Sequence, residues 1–403
     1  MAREPSWLSS IRRSLAPLTP AIALVAVQLI FFGVPLGAWL RGVVIGLLTA
    51  LLAMGMALVY RANRVLNFAQ ADLGFVPATL AVGLIVFSGL PYLFGLGVGL
   101  AAAVVLGAIV ELAIIRRFSR SPRLVLTVAT IGITQLLAVF AIRLPRLWDQ
   151  NAASQRISPP LDWKLTVGSF ILNANDFIAV IVAPVAMIGV GLFLTRTRIG
   201  TAVRAAAERS ERASLLGIPV GGLSTVVWMI AAALSFLALF LRAGILGIPL
   251  GSALAIGTLV QALAALVIGR LRNLVTITVA AVALGVLEYG VSWNADSPLL
   301  VAPFIGAAVM AALLLQRRSS SRFDQDTTAS WRLADEVREL EPHLARHELV
   351  FLMRATTYVF VLAGLVLVPL VLRSDQVVKI TAIAIYAIIG LSLVVLTGWA
   401  GQL

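Results

Sequence analysis

The sequence predicts an all-α integral membrane protein, a polytopic helical bundle, from its composition and from the length of its apolar runs. Apolar residues make up 60% of the 403-residue chain and charged residues only 12%, whereas soluble domains carry about 25% charged residues. Runs of about 20 apolar residues recur, the length that crosses roughly 30 Å of hydrocarbon. They lack the polar–apolar alternation of barrel strands, so helices are the structure that satisfies their backbone in lipid.

The apolar runs give a map of the spans. The first run follows Arg12 and Arg13 and resembles a signal peptide, but it is long for one and no small-x-small site follows, so we interpret it as an uncleaved span. The predicted spans are 21–40, 42–60, 73–90, 92–115, 124–142, 177–195, 221–241, 249–269, 274–290, 299–316, 355–372 and 377–396.

The distribution of basic residues predicts the orientation of these spans. With the N-terminus in the cytoplasm, 23 of the 31 Lys and Arg residues fall in cytoplasmic segments, as the positive-inside rule requires. Because the charges lie in loops between apolar spans, the net charge of +13 reflects membrane topology. We therefore predict the lipid bilayer as a partner and no nucleic acid.

A break in composition divides the chain. Residues 317–353 contain no long apolar run, and 331–346 predict a short charged helix. We predict an extra N-terminal segment with one span at 1–40, a membrane module at 41–316, a cytoplasmic linker at 317–353, and the truncated start of a second membrane module at 354–403.

The first informative loop is residues 64–73, named here the broken-helix element. It places Asn67, Gln70 and Asp72 between two apolar spans. Polar groups at membrane depth are tolerated where protein or a cavity shields them, so one interpretation is a broken helix along a translocation path. The other is an ordinary cytoplasmic turn capped by Asn and Asp side chains.

The second loop, residues 111–122, begins with an acid about one turn inside the membrane. Glu111 is followed by Arg116 and Arg117, and an intramembrane acid is costly unless it is paired. We predict a structural ion pair between Glu111 and these arginines, and the alternative is a pair of side chains that snorkel to the interface.

The third loop, residues 201–217, is rich in alanine and predicts a short cytoplasmic helix that Gly217 and Pro219 end. Opposite charges lie at i,i+4, which supports a helix. Such a helix suits docking to a soluble partner, and the alternative is a solvated helix that docks nothing. The candidate docking residues are Arg204, Glu208, Glu211, Arg212, Leu216 and Gly217.

Residue types that enzymes need are scarce. The chain has no cysteine, and neither of its two lysines, Lys164 and Lys379, follows a glycine, so it has no Walker-type phosphate loop and cannot supply an ATPase itself. His343 and His347 have the i,i+4 spacing of a metalloprotease helix, but Leu344 follows the first histidine where that motif requires Glu. We predict no catalytic residue, no metal and no cofactor.

Taken in order, these loops resemble the permeases of branched-chain amino acid ABC importers, of the LivH and LivM types. The resemblance covers about 41–316 as a LivH-type unit, and residues 391–403 resemble the opening of a LivM-type unit. Ala71-Asp72 stands where the family usually has Gly-Glu, a difference that concerns the identity of the solute more than the architecture. The motifs are Asn67-Phe68-Ala69-Gln70, Glu111 with Arg117 and Pro122-Arg123-Leu124-Val125, Ala129-Thr130-Ile131-Gly132, Arg198-Ile199-Gly200 with Ala213-Ser214-Leu215-Leu216-Gly217-Ile218, and Leu284-Gly285-Val286-Leu287-Glu288.

The resemblance implies a fold of the ABC importer permease type in the bacterial inner membrane. It implies a path between two permease modules, ABC ATPase subunits on the cytoplasmic side, and a periplasmic or lipid-anchored solute-binding protein outside. The solutes would be branched-chain amino acids or related small polar solutes, including urea and short amides. The alternative function is an ion-coupled secondary transporter, which usually carries acids near the bilayer midplane, whereas Glu111 and Glu288 lie near the ends of the predicted spans.

Overall fold

The fold is taken from a computed structural model, in which the chain divides into two compact units, Met1–Ser330 and Trp331–Leu403. Each unit is described by itself. Residues 1–20, part of the predicted span 21–40, the linker 317–353 up to residue 347, and residues 395–403 lie outside the described residues. The structure describes residues 22, 25, 26, 28, 33–118, 121, 123–150, 156–159, 161, 163–168, 170–208, 210–247, 252–269, 271, 273–294, 300–315, 348–371 and 373–394.

The described part of the first unit is almost entirely helical, which confirms the predicted fold class. The 3₁₀ segment Leu144–Trp148 extends the fourth helix, and the π-helical turn Glu111–Ile115 extends the third. The helices are α1 (Leu36–Asn63), α2 (Gln70–Val86), α3 (Tyr92–Val110), α4 (Arg123–Arg143), α5 (Ala174–Arg196), α6 (Arg198–Glu208), α7 (Ser210–Leu215), α8 (Val220–Leu246), α9 (Ser252–Ile268), α10 (Leu274–Asn294) and α11 (Val301–Leu315).

Six described helices are long and apolar enough to cross a membrane, which supports a multi-pass membrane protein. They are Leu36–Asn63, Tyr92–Ile115, Val125–Trp148, Ala174–Arg196, Val220–Leu246 and Leu274–Asn294.

The start of α1 corrects the predicted map. Spans were expected at 21–40 and 42–60 with a break at Arg41, but one helix of 28 residues runs through that position from Leu36. Arg41 is accommodated inside the helix because its guanidinium pairs with Asp176 at 3.1 Å. The segment between α4 and α5 also contains an unpredicted hairpin, formed by β1 (Lys164–Val167) and β2 (Phe170–Asn173), which pair antiparallel.

Small residues let α1 pack tightly against α10. A Cβ added to Gly46 would lie 2.6 Å from the Cα of Val282, and one added to Gly285 would lie 2.5 Å from the Cα of Gly46. Without side chains at these positions the two backbones approach closely, which is how helices gain van der Waals contact in lipid. The pair forms one half of the core.

The other half of the core is α8, which packs against α1, α2 and α3. Trp228, Phe236 and Phe240 are fully buried on it. Gly74 of α2 and Gly107 of α3 face the α8 backbone so closely that a Cβ at either would clash with Ser235 or Trp228. This close contact brings α8 within hydrogen-bond reach of the loops that the sequence singled out.

Hydrogen bonds define two ends of this unit. At the α6 end, named for the helix it carries, Asn63 Nδ2 donates to Ser224 Oγ at 3.1 Å. At the opposite end, named the hairpin end, Trp148 Nε1 donates to Ser88 Oγ at 2.8 Å. All residues of the broken-helix element up to Ala69 lie at the α6 end.

The described part of the second unit consists of two helices, α12 (Glu348–Val371) and α13 (Ser374–Val394). Many of their large apolar side chains are exposed, among them Phe360 at 81% and Tyr386 at 73%. Two helices with this much exposed apolar surface need lipid or further helices around them.

Candidate functional site

The broken-helix element connects α1 to α2 and is held by side-chain amides. The Asn67 Oδ1 accepts the Ala69 N–H at 3.0 Å, and the Asn67 Nδ2 donates to Gln70 Oε1 at 2.9 Å. Gln70 Nε2 then donates to Ala231 O at 2.9 Å and to Ser235 Oγ at 2.5 Å. Because both of these acceptors lie on α8, the start of α2 is fixed to that helix.

The other side of the element is held by threonines of α4. Phe68 N–H donates to Thr130 Oγ1 at 3.2 Å, and that hydroxyl donates to Thr127 O at 2.7 Å. The carboxyl group of Asp72 interacts with the hydroxyl of Thr134. The element is therefore clamped between α8 and α4.

The structure brings the three predicted path residues together and buries all of them. Asn67, Gln70 and Asp72 are 1%, 0% and 3% exposed. Their hydrogen bonds within the unit satisfy polar groups that would be costly at membrane depth. In this arrangement they frame the entry into α2, and their role along a translocation path stays a prediction.

Glu111 lies in the π-helical turn and joins the end of α3 to the start of α8. Its Oε2 lies 3.1 Å from Arg116 Nη2 and accepts from Thr225 Oγ1 at 2.7 Å. Arg116 also donates to Gly221 O at 3.0 Å and to Thr225 Oγ1 at 2.7 Å. The buried carboxylate is therefore both paired and hydrogen-bonded, as a buried charge requires. Arg117 is exposed and makes no ion pair with a described residue.

The 201–217 segment was predicted as one helix, and the structure describes helical residues on both sides of position 209, as α6 and α7, while position 209 itself lies outside the described residues. At the start of α6, the Thr197 hydroxyl accepts the Gly200 N–H at 2.9 Å. Val203 and Ala206 are buried, while Arg204 is exposed on the opposite face. The helix is therefore amphipathic and lies with one face on the membrane unit.

The expected charge pairs of this segment do not form. Glu208 is exposed and makes no ion pair with Arg204 or Arg212 among the described contacts. Arg212 is exposed, and the side chain of Glu211 lies outside what the structure describes.

The segment ends in an exposed apolar tip. Leu215 and Leu216 are 86% and 81% exposed, and Gly217 turns the chain with φ +78°. A left-handed residue of this kind commonly ends a helix, and glycine adopts it without strain. Two neighbouring leucines exposed beside exposed charged residues are unusual outside an interaction surface.

Arg64 connects this segment to the broken-helix element. Its Nη2 donates to Ala207 O near the end of α6 at 3.0 Å, and its own backbone takes the left-handed conformation that ends α1. The exposed surface of α6 and α7 is therefore joined, through one residue, to the buried amide cluster. Sequence analysis identified both segments but not this contact between them.

A set of charged residues at the hairpin end was not recognised from the sequence as a site. Arg41 and Asp176 form one ion pair, and Arg242 and Glu288 form a second at 3.9 Å. The sequence analysis placed both arginines in outer loops, and only the Asn173/Asp176 spacing of the α5 cap could have suggested otherwise.

Metal ligands are not clustered in the part of the chain that the structure describes, where no three His, Cys, Asp or Glu residues come together. The apolar spans and the polar loops between them define a polytopic α-helical membrane protein.

Comparison with known proteins places the chain within this class. Residues 38–317, more than half of the chain, match the family described as branched-chain amino acid transport system / permease component, and the chain belongs to that family. The resemblance found in the sequence is thereby confirmed for the family.

Two curated relatives have names of the same kind. "Probable branched-chain amino acid transport permease protein LivH" of Methanocaldococcus jannaschii is 27% identical over 280 residues, which cover 66% of this chain and 86% of the relative. "High-affinity branched-chain amino acid transport system permease protein BraD" of Pseudomonas aeruginosa is 26% identical over 264 residues, covering 62% and 83%. A solved structure, PsaBC from Streptococcus pneumoniae in complex with Fab, matches with a TM-score of 0.42 and 14% identity over 72% of this chain and 95% of that one.

Proposed function

We propose that the chain is the permease subunit of an ATP-driven ABC importer for branched-chain amino acids or related small polar solutes. The observation that carries this proposal is the apolar tip at Leu215 and Leu216, on a segment that Arg64 joins to the buried broken-helix element. The curated relatives, whose names specify branched-chain amino acid transport, support the substrate class.

In this proposal the 201–217 segment docks a separate ATPase subunit, with Leu216 in an apolar groove and Arg204 and Glu208 at its edge. Movement of α6 then reaches the broken-helix element through the Arg64 contact to Ala207. From there Gln70 transmits it to α8 through bonds to Ala231 and Ser235. These contacts would couple ATP hydrolysis to the opening and closing of the path.

A solute-binding protein would dock at the hairpin end, on the outer face of a bacterial inner membrane. The 23-to-8 bias of basic residues supports this orientation, with the N-terminus in the cytoplasm. Among the described residues near the hairpin, the exposed basic side chains include Arg143, Arg146, Arg156 and Lys164, and the exposed acid is Asp149. This charge favours a partner with an acidic docking surface.

We further propose that residues 354–403 belong to a second, LivM-like permease module, joined by a cytoplasmic linker at 317–353. The exposed apolar side chains of α12 and α13 support this assignment, because such helices need neighbours in the membrane. The translocation path would lie between the two modules.

The alternative, an ion-coupled secondary transporter, is tested by separating the two energy sources. Uptake of radiolabelled leucine is measured in cells that express the chain with its ATPase and binding protein. We expect ATP depletion with the ion gradient intact to abolish uptake, and a protonophore with ATP maintained to leave most of it. The opposite pattern would establish ion coupling and refute the proposal.

A further inference from the structure

Four charged side chains from four helices meet at the hairpin end: Arg41 on α1, Asp176 on α5, Arg242 on α8 and Glu288 on α10. All four lie within helices long and apolar enough to span a membrane. Ionisable residues in such segments are costly and mark sites of function.

The two ion pairs differ in how many of their charged atoms have hydrogen-bond partners. Arg41 Nη2 contacts both Asp176 oxygens, at 3.1 and 3.4 Å, and Asp176 also caps α5 by accepting the Asn173 N–H at 2.8 Å. In this pair only the Arg41 Nε lacks a partner. Both carboxylate oxygens are engaged, so the pair has a structural role that is already complete.

The Arg242–Glu288 pair is longer and incomplete on both sides. Its closest approach is 3.9 Å, beyond hydrogen-bond range. Arg242 Nη1 and Glu288 Oε2 are both buried and have no hydrogen-bond partner among the described residues. Leaving charged groups in this state is expensive. The geometry suits a ligand that brings one anionic acceptor and one cationic donor.

A small cavity beside Arg242 could receive the side chain of a bound amino acid. Arg242 lines this cavity between α1, α8 and α9, and the surface of the cavity is apolar. The other lining residues include Leu48, Thr49, Leu52, Leu239 and Thr258. An apolar cavity next to the Arg242–Glu288 pair matches a molecule with a charged head and an aliphatic tail.

We propose that Arg242 and Glu288 bind the zwitterionic head of an α-amino acid during transport. The substrate carboxylate accepts from the Arg242 guanidinium, its ammonium group donates to Glu288, and its aliphatic side chain lies towards Leu48 and Leu52. This inference rests on the proposed function and narrows it, because a site built from two opposite charges favours amino acids over urea and short amides. The small size of the cavity means that α1, α8 and α9 separate to admit the substrate.

The test uses leucine and two analogues that each lack one charge, 4-methylpentanoate and 3-methylbutylamine. Binding of each to the purified full chain in nanodiscs is measured directly. We expect the wild type to prefer leucine over either analogue by about tenfold or more, because an analogue leaves one charge unpaired. Glu288→Gln should abolish the preference over 4-methylpentanoate, and Arg242→Gln the preference over 3-methylbutylamine.

The tight ion pair provides the matched control. Asp176→Asn also removes the carboxylate of an ion pair within a membrane-spanning helix, but on α5, and it should leave the preference for leucine over both analogues unchanged. A purely structural role for Glu288 would lower the affinity for all three probes together. If Glu288→Gln misfolds, Glu288→Asp keeps the charge and should keep the preference.

Two results would overturn the inference: equal affinity of the wild type for leucine and its analogues, or the same loss of preference in Asp176→Asn as in Glu288→Gln. Import is measured separately, with the ATPase and binding protein present. Leucine import without the expected binding pattern would refute this site alone. The expected binding pattern without ATP-dependent import would refute the proposed function and leave the site standing.

Discussion

Gln70 offers the sharpest test of how the broken-helix element is held. Its side-chain amide donates to Ala231 O and Ser235 Oγ and accepts from Asn67 Nδ2. Gln70→Leu removes all three hydrogen bonds while keeping most of the side-chain volume. The Asn67 amide and the Ser235 hydroxyl then remain buried, each with one partner fewer.

The size of the effect follows from these contacts. Hydrogen bonds between membrane helices contribute about 0.6 kcal/mol each on average, and a buried partner left unsatisfied costs about 1–3 kcal/mol. We therefore expect Gln70→Leu to lower the free energy of unfolding by roughly 2–4 kcal/mol. Thr79→Val is the matched control, since Thr79 is buried on the same helix and its hydroxyl bonds only to Phe75 O of that helix. Its expected cost is below about 1 kcal/mol.

The assay compares reversible unfolding of the two variants and the wild type in mixed detergent micelles, with leucine uptake measured in parallel. We expect Gln70→Leu to lose both stability and uptake, and Thr79→Val to retain uptake. Equal unfolding free energies for the two variants would show that the contact between the broken-helix element and α8 contributes little. The clamp described above would then be incidental.

Three further predictions test the two ends of the permease. Replacing Leu215 and Leu216 together by Ser should reduce copurification of the ATPase by about tenfold or more. The chain should stay folded, because both side chains are already exposed. Copurification at the wild-type level would place the docking surface elsewhere. In this chain without cysteines, an impermeant thiol reagent applied to intact cells should label Ser158→Cys at the hairpin end but not Ser320→Cys in the linker, and the reverse labelling would invert the topology. Glu111→Gln should lower the free energy of unfolding by roughly 1–2 kcal/mol, because it removes the buried carboxylate of the ion pair with Arg116. The cost stays moderate because the Arg116 side chain is 44% exposed and can still be solvated by water. An unchanged unfolding curve would contradict that pairing.

The long apolar spans were predictable because they depend on local composition. The predicted span 92–115 coincides with the observed span Tyr92–Ile115, and 274–290 falls within Leu274–Asn294. In both, a run of apolar residues between polar loops is enough to specify a helix in lipid. No knowledge of neighbouring helices is required.

The misplaced boundaries have a different physical origin, because they depend on partners distant in sequence. Arg41 looked like a loop residue, and the carboxylate that allows it inside α1 lies 135 residues away at Asp176. The contact between Gln70 and Ser235 spans 165 residues. Sequence spacing identified the polar residues in both cases, and only the packing of the helices shows which of them meet.

A single helix, α8, contacts three of the polar sites described in the first unit. Its start accepts Arg116 at Gly221 and Thr225, its middle accepts Gln70, and Arg242 near its end faces Glu288. An α-helix of 27 residues is about 40 Å long at 1.5 Å per residue.

Hydrogen bonds hold α8 at its start, in its middle and near its end, where Asn175 Nδ2 donates to Gly244 O at 2.8 Å. In the proposed coupling, a displacement at the α6 end would therefore be passed along the whole helix. The same movement changes the distance between Arg242 and Glu288, which are held only at 3.9 Å. The longest of the three ion pairs described in this unit therefore lies where the proposed substrate head binds.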